Sequence, residues 1–470
     1  MSLTHENPLG HENPLGYEKI STLLKKFAVP SITAMLVSSL YNIVDQIFIG
    51  QGVGYLGNAA TNVSYPLSTI CLAISLLIGI GCSSRFSLHL GRKEPEQAAK
   101  IAGNGVTFMA IAGPLYFLIA EILLLPLLKL FGATAEVLPY ARQYAGITLT
   151  GMPFLILTNG MSNLIRADGN PKYSMLCMVA GAIVNTILDP VFIFIFGWGV
   201  FGAALATILG QFLSFFLAIR YLWHFQTIRF TKSCFRLDIR DMLNTFAMGI
   251  SSCVNQLAIT LVQIVLNNSL TYYGAMSVYG KEIPLASCGI VMKTNAILLA
   301  VIIGIAQGVQ PIIGFNYGAE KYKRVREAYL LAIRWNLIVS AIGFCAFQFF
   351  PGTIISLFGK GEGLYFEFAI LFMRTFLFMV VINGVQLISS NFFTAIGKAM
   401  KGLLLALTRQ VFFLIPLILL LPLRFGLLGV LLAGPVADFA AFALSVFLVR
   451  RELNRQRLLC PLPEKDAAGV

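Results

Sequence analysis

Residues 27–50 read FAVPSITAMLVSSLYNIVDQIFIG, an apolar stretch whose single charged residue is Asp45. At about 1.5 Å of rise per residue, a helix of this length crosses a hydrocarbon core of about 30 Å. Similar stretches recur along the chain, at 58–82, 101–128, 140–164, 173–196, 201–222, 241–268, 283–307, 326–350, 365–391, 402–422 and 427–449, which predicts about twelve transmembrane helices. Composition agrees: of 470 residues 57% are hydrophobic and only 12% charged, a share of charge about half that of soluble domains. Transmembrane β-strands would be runs of about 10 residues with alternating polarity, whereas these are continuous. The fold class expected is therefore an all-α membrane protein.

The net charge of +13 is placed between the apolar runs. Arg85, Arg92 and Lys93 form one cluster and Arg166 with Lys172 a second. Arg229, Lys232 and Arg236, then Lys321, Lys323, Arg324 and Arg326, then Lys398 and Lys401 follow. The alternate loops are nearly bare, so the positive-inside rule assigns the basic loops and both termini to the cytoplasm of an inner-membrane protein. This pattern sets topology and implies no nucleic-acid partner. Eight scattered cysteines without CxxC spacing read as small apolar residues. The first residues carry a tandem hexapeptide, His5-Glu6-Asn7-Pro8-Leu9-Gly10 and His11-Glu12-Asn13-Pro14-Leu15-Gly16. Leu9 and Leu15 stand where an HExxH zinc motif needs its second histidine, so the repeat reads as part of a loosely docked tail.

A longer repeat divides the chain. Ile78-Gly79-Ile80-Gly81 matches Ile303-Gly304-Ile305-Ala306, Ala167-Asp168-Gly169-Asn170-Pro171 matches Ala395-Ile396-Gly397-Lys398-Ala399, and Gly199-Val200-Phe201-Gly202 matches Gly426-Leu427-Leu428-Gly429. The constant order and similar spacing predict two pseudo-symmetric six-helix bundles related by an axis along the membrane normal. The expected organisation is an N-terminal tail over 1–18, an N-lobe over 19–222, a linker over 223–240, a C-lobe over 241–451 and a C-terminal tail over 452–470.

Ionisable residues at membrane depth cost at least about 2.5 kcal/mol each and need a reason. Asp45 follows Tyr41 and Asn42 on one helical face, and Asp189 follows Asn185 by one turn and precedes Pro190. The proline frees a backbone carbonyl beside those side chains, and Thr207 adds a hydroxyl. Asp45, Asn185, Asp189 and Thr207 thus form a candidate oxygen site for a coupling cation, Na⁺ or H⁺. The second half keeps the proline as Pro416 but has Ile415 in place of the acid, which assigns coupling to the N-lobe. The bases Lys293, Arg374 and Arg409 either pair across helices or bind an anionic substrate group. Glu121 and Asp438 default to helix pairing. Tyr41, Met152, Phe154 and Asn159 are the candidates for a substrate wall. No GxxxxGK[ST] motif is present, and no catalytic constellation is evident, so neither ATP nor a membrane-embedded enzyme is indicated.

At these residues the chain resembles the MATE (multidrug and toxic compound extrusion) family, nearest its DinF-like and MepA-like branches. The resemblance is carried by Tyr41–Gly50, Arg166–Pro171, Asn185–Pro190 and Gly202-Ala203-Ala204. It implies two six-helix bundles in a V that rock between inward-open and outward-open states, antiport of lipophilic and often cationic drugs, and no cofactor beyond Na⁺ or H⁺. It also implies that Asp45, Asn185, Asp189 and Thr207 correspond to the family's N-lobe cation or proton site, beside Tyr41 and Asn159. Ser162 stands where the related network often has Asn. A small organic substrate and the lipid bilayer are the expected partners, with the chain acting as a monomer. The competing reading is a flippase or exporter of a lipid-linked or anionic precursor, in which Lys293, Arg374 and Arg409 would converge on the central cleft.

Overall fold

The computed structural model describes residues 13–357 and 363–459, among which every regular element is helical. The first lobe holds α1 (Ile20–Gly52), α2 (Tyr55–Gly91), α3 (Pro95–Ile122), α4 (Leu138–Ala167), α5 (Pro171–Pro190) and α6 (Gly199–Arg220). The second holds α7 (Ile239–Ala275), α8 (Glu282–Gly318), α9 (Tyr322–Phe349), α10 (Leu364–Phe376), α11 (Val380–Ala395), α12 (Ala399–Leu407), α13 (Ile415–Leu420) and α14 (Leu427–Leu459). Among the described residues ten helical stretches are long and apolar enough to cross a bilayer, and α10 with α11, bent by 49°, makes an eleventh. The remaining expected span is α4, which is long enough but polar, burying Thr148, Thr158, Ser162, Asn163 and Arg166. It packs on α2, α3 and α6, so neighbouring helices shelter these groups from lipid.

Matching helices of the two lobes start 226 to 228 residues apart from α2 onward, as in Tyr55 and Glu282, Pro95 and Tyr322, Leu138 and Leu364, Pro171 and Ala399, or Gly199 and Leu427. The turns repeat too. After α4, Gly169 at φ +98° lets the Asn170 amide donate to Ile165 O at 3.1 Å. After α11, Gly397 at φ +79° does the same for Lys398 and Phe393 O at 2.8 Å. Only glycine enters this left-handed region without steric cost, which explains why the sequence repeat is visible there. Asn170 then caps α5 by accepting from the Tyr173 amide at 3.1 Å, with Pro171 in the first turn. Near the paired prolines both lobes carry a π-helical segment, Val191–Ile195 after Pro190 and Thr408–Leu414 before Pro416. A proline removes one N–H from the ladder and favours such local rewinding.

The lobes meet along α1 with α8 and along α2 with α7. Closure is tightest toward the end that carries the basic loops, here termed the basic end. A Cβ on Gly249 would lie 1.8 Å from Leu77 O, and one on Gly318 2.1 Å from Leu88 O, so the backbones are in contact. Arg85 reinforces this seam, its Nη2 donating to Asp241 Oδ1 at 2.6 Å and its Nη1 to Asp241 O at 2.8 Å and Thr245 Oγ1 at 2.9 Å. Toward the opposite end Leu40, Ile47 and Tyr65 are exposed. The molecule is a V with its apex at the basic end.

Residues 13–18, expected to belong to a loose tail, instead dock across the apex. Leu15 is buried, and its carbonyl accepts from Asn316 Nδ2 at 2.9 Å and Arg324 Nη2 at 3.1 Å. Arg324 Nη2 also donates to Glu18 O at 2.6 Å, and Lys321 Nζ to Gly16 O at 2.9 Å. The first hexapeptide copy lies outside the described residues. The expected linker 223–240 folds onto the N-lobe: Asp168 accepts from Tyr221, from both the amide and hydroxyl of Thr227 and from the Gln226 amide, and Asn104 exchanges hydrogen bonds with Asp238. Beyond residue 451, expected as tail, α14 continues, and its buried Glu452 pairs with Lys398 and Lys401.

Candidate functional site

The V encloses a cavity of about 430 Å³ lined from both lobes. Neutral polar side chains line it, such as Asn159, Ser162 and Gln211 from one lobe and Asn255, Gln256 and Gln410 from the other, but most of its surface is apolar, with Leu72, Leu155, Leu299 and Ile303 contributing. Tyr41 and Asn159 are on this wall, together with Asn185 and Thr207. Met152 and Phe154 are not. Met152 is buried in the N-lobe core, where its carbonyl accepts from Cys71 Sγ, and Phe154 packs edge-on against Phe212 and at a tilt against Phe215. Chemical type alone carries no information about which helical face meets the cleft.

Beside this wall, between α1 and α5, the carboxyl groups of Asp45 and Asp189 stand against one another. Asp189 is 0% exposed and Asp45 9%, so both are shielded from lipid and bulk water. Asn185 Nδ2 lies 3.3 Å from Asp189 Oδ1 and 3.3 Å from Thr207 Oγ1. With its amide turned the other way, the nitrogen still reaches Asp189 Oδ2 at 3.3 Å and the oxygen accepts from the Thr207 amide at 3.2 Å. Thr207 Oγ1 in turn donates to Ala203 O at 3.0 Å. Asp45 Oδ1 is buried and receives no hydrogen bond from the described residues. Tyr41 lies close to both carboxyls and also faces the cavity. Tyr144 of α4, not anticipated from the sequence, closes the cluster, its hydroxyl against Thr207 and near both acids.

Two carboxylates cannot share a buried site while both are charged and bare, because their repulsion adds to the desolvation cost of each. A proton on one of them or a small cation between them resolves the conflict, and the donors present are all hard oxygens suited to either. Asn185 bonds to Asp189 and Thr207, Tyr41 lies close to both carboxyls, and all three line the cavity, so occupancy of the pair and the shape of the wall are physically linked.

The three bases do not converge. Lys293 is exposed, and Arg374 is tied to Gln348, donating from Nε to its carbonyl at 3.0 Å and accepting from its amide at 2.8 Å. Arg409 alone of the three lines the cavity. Asp438 is its partner, accepting from Arg409 Nε at 2.5 Å, whereas Glu121 is exposed.

A family model described as MatE matches residues 30–191 and 251–420, one stretch in each lobe. The chain belongs to the MatE family. It is a multi-pass membrane transporter and not an enzyme. Among similar proteins, the multidrug export protein MepA of Staphylococcus saprophyticus is 26% identical over 442 residues, covering 91% of this chain and 94% of that protein. MepA of Staphylococcus aureus strain MRSA252 is 26% identical over 435 residues with the same coverage. The MatE architecture extends to solved structures. An outward-facing MATE transporter of the MOP superfamily superposes with a TM-score of 0.84 at 23% identity, over 94% of this chain and 99% of that one. A MOP superfamily transporter from Pyrococcus furiosus gives 0.87 at 23% identity, over 94% and 98%. At that identity the superpositions establish the shared fold.

Proposed function

We propose that this MatE protein is an antiporter that exports small amphiphilic organic compounds in exchange for Na⁺ or H⁺ entering through the Asp45–Asp189 pair. The supporting observation is the buried contact of these two carboxyls, with Asp45 Oδ1 left without a donor, directly behind the cavity wall formed by Tyr41, Asn185 and Thr207. The basic end is taken as cytoplasmic, which makes the V outward-open and places both termini on the cytoplasmic side of an inner membrane. A cation arriving from outside neutralises the carboxyl pair, draws α1 and α5 together, and reshapes the wall so that substrate leaves. Exchange follows when cation and substrate favour opposite lobe arrangements. The relatives named multidrug export protein support a range of drug-sized substrates, and a polar-apolar wall without a fixed template suits loose recognition. A monomer suffices, since both lobes of one chain complete the cavity.

The test is export in a sensitised host and in liposomes with imposed Na⁺ or H⁺ gradients. Asp45→Asn and Asp189→Asn should each reduce gradient-driven efflux at least about tenfold, the cost of about 1.4 kcal/mol in coupling. Undiminished export by both variants would refute the assignment. The response to one gradient but not the other identifies the ion. The flippase reading required Lys293, Arg374 and Arg409 to converge, and only Arg409 reaches the cavity.

A further inference from the structure

The charged side chains that line the cavity itself are of one sign, the Asp45–Asp189 pair lying behind its wall. Among its described lining residues are no Asp, Glu or Lys, and the permanent charges are two guanidinium groups, Arg166 on α4 and Arg409 in the π-helical segment before α13. They are held differently. Arg166 is committed to its own lobe, Nη2 donating to Asn163 Oδ1 at 2.7 Å and Nη1 to Ser174 Oγ at 3.3 Å. No carboxylate among the described residues pairs with it.

Arg409 is gripped from behind. Its Nε donates to Asp438 Oδ1 at 2.5 Å, while Asn383 Nδ2 supports Asp438 Oδ2 at 3.4 Å. Asp438 is 3% exposed and does not line the cavity. Neither terminal nitrogen of Arg409 hydrogen-bonds to a described residue, so the fork that matches an oxyanion in two parallel bonds is left to the cavity. A guanidinium placed only for helix pairing would turn this fork onto its carboxylate. Here the single Nε contact fixes its direction and leaves the binding edge open.

We propose that Arg409 anchors a carboxylate or similar oxyanion on an amphiphilic organic acid or zwitterion, with Asp438 and Asn383 as positioning residues. A substrate carboxylate on the open fork of Arg409 makes charge-assisted bonds in a partly desolvated space, where they are worth more than in water. The same cavity is lined by Gln410, a neutral donor, and by Leu299 and Ile303, an apolar surface for the remainder of the molecule. This narrows the expectation of cationic substrates to ones that also carry an acid. It rests on the export reading only in taking the central cavity as the substrate site.

The experiment uses a dye pair differing by one carboxylate: rhodamine 110, the free acid, and rhodamine 123, its methyl ester. Binding to the purified full-length protein in detergent is followed by fluorescence polarisation without any ion gradient, so the result is independent of whether Asp45 and Asp189 couple transport. The wild type should bind the acid at least about tenfold more tightly than the ester, the scale of a hydrogen bond to a charged group. Arg409→Gln abolishes that preference, and Arg409→Lys keeps part of it. Because removing Arg409 alone leaves a buried charge on Asp438, the double variant R409Q/D438N provides the folded control and should also lose the preference. Asp438→Asn retains an oxygen for Nε but removes the counter-charge, so it should increase the preference, which a merely structural contact would not do. Equal binding of the two dyes by the wild type, no binding of the acid, or a preference that survives in R409Q/D438N would overturn the proposal.

Discussion

Lys93 and Glu320 hold positive φ, 62° and 56°, at equivalent turns after α2 and α8. The left-handed conformation costs a side-chain-bearing residue about 1–2 kcal/mol, of which the extra entropy of an unfolded glycine returns part. Lys93→Gly and Glu320→Gly should therefore each stabilise the protein by about 0.5 kcal/mol or more, seen as a higher melting midpoint in detergent. A lower midpoint in both would show that their side chains, and not their backbones, matter. This symmetric pair escaped sequence reading because nothing but glycine advertises such a turn. The same asymmetry governs the candidate site. Asp45 and Asp189 were legible because an acid in an apolar run is costly and asks for a partner. Tyr144 also lies near both but costs little in a helix, so it left no signal. Met152 and Phe154 failed for the converse reason, since apolar residues are as welcome in a core as on a substrate wall.

Elements were legible to the extent that each span could be judged alone. Apolar length gave the helices, 140–164 among them, although α4 is more polar than the rest because its partners are helices and not lipid. Helix ends at the apex ran past their hydrophobic cores, to Gly91 and Gly318, since inter-lobe contact and not hydropathy sets them. That contact gives an element-scale prediction. The α2–α7 crossing needs a bare Cα at Gly249, where a side chain would meet the Leu77 carbonyl. Gly249→Val should wedge the lobes apart at the basic end while leaving each bundle folded. Distances between spin labels on α2 and α7 near that end should lengthen, and export should fall at least about tenfold for each 1.4 kcal/mol by which closure is disfavoured. Unchanged distances and export would show that the crossing yields without consequence.

At the scale of the whole molecule, the apex is held by groups far apart in sequence: Arg85 with Asp241, and the segment 13–18 strapped onto the far lobe by Arg324 and Asn316. Pairings between residues some 300 positions apart leave no periodic trace, which is why the strap was read as a loose tail. Arg324 is its central clasp, donating to two strap carbonyls and, through Nε, to Asn316 Oδ1 at 2.9 Å, so one guanidinium orders both partners. Arg324→Ala removes charge-assisted bonds worth about 1.5–3 kcal/mol each and leaves the Leu15 carbonyl with Asn316 alone. The strap should then open often enough for trypsin to cut after the exposed Lys19 at least about tenfold faster than in the wild type. If the strap engages only when the apex is closed, the same variant should also shift the lobes toward opening at the basic end, by linkage between the two equilibria. Faster cleavage with unaltered lobe distances would mean that the strap rides on the C-lobe in every state. Unaltered cleavage would mean that Leu15, buried against the apex, holds it without Arg324.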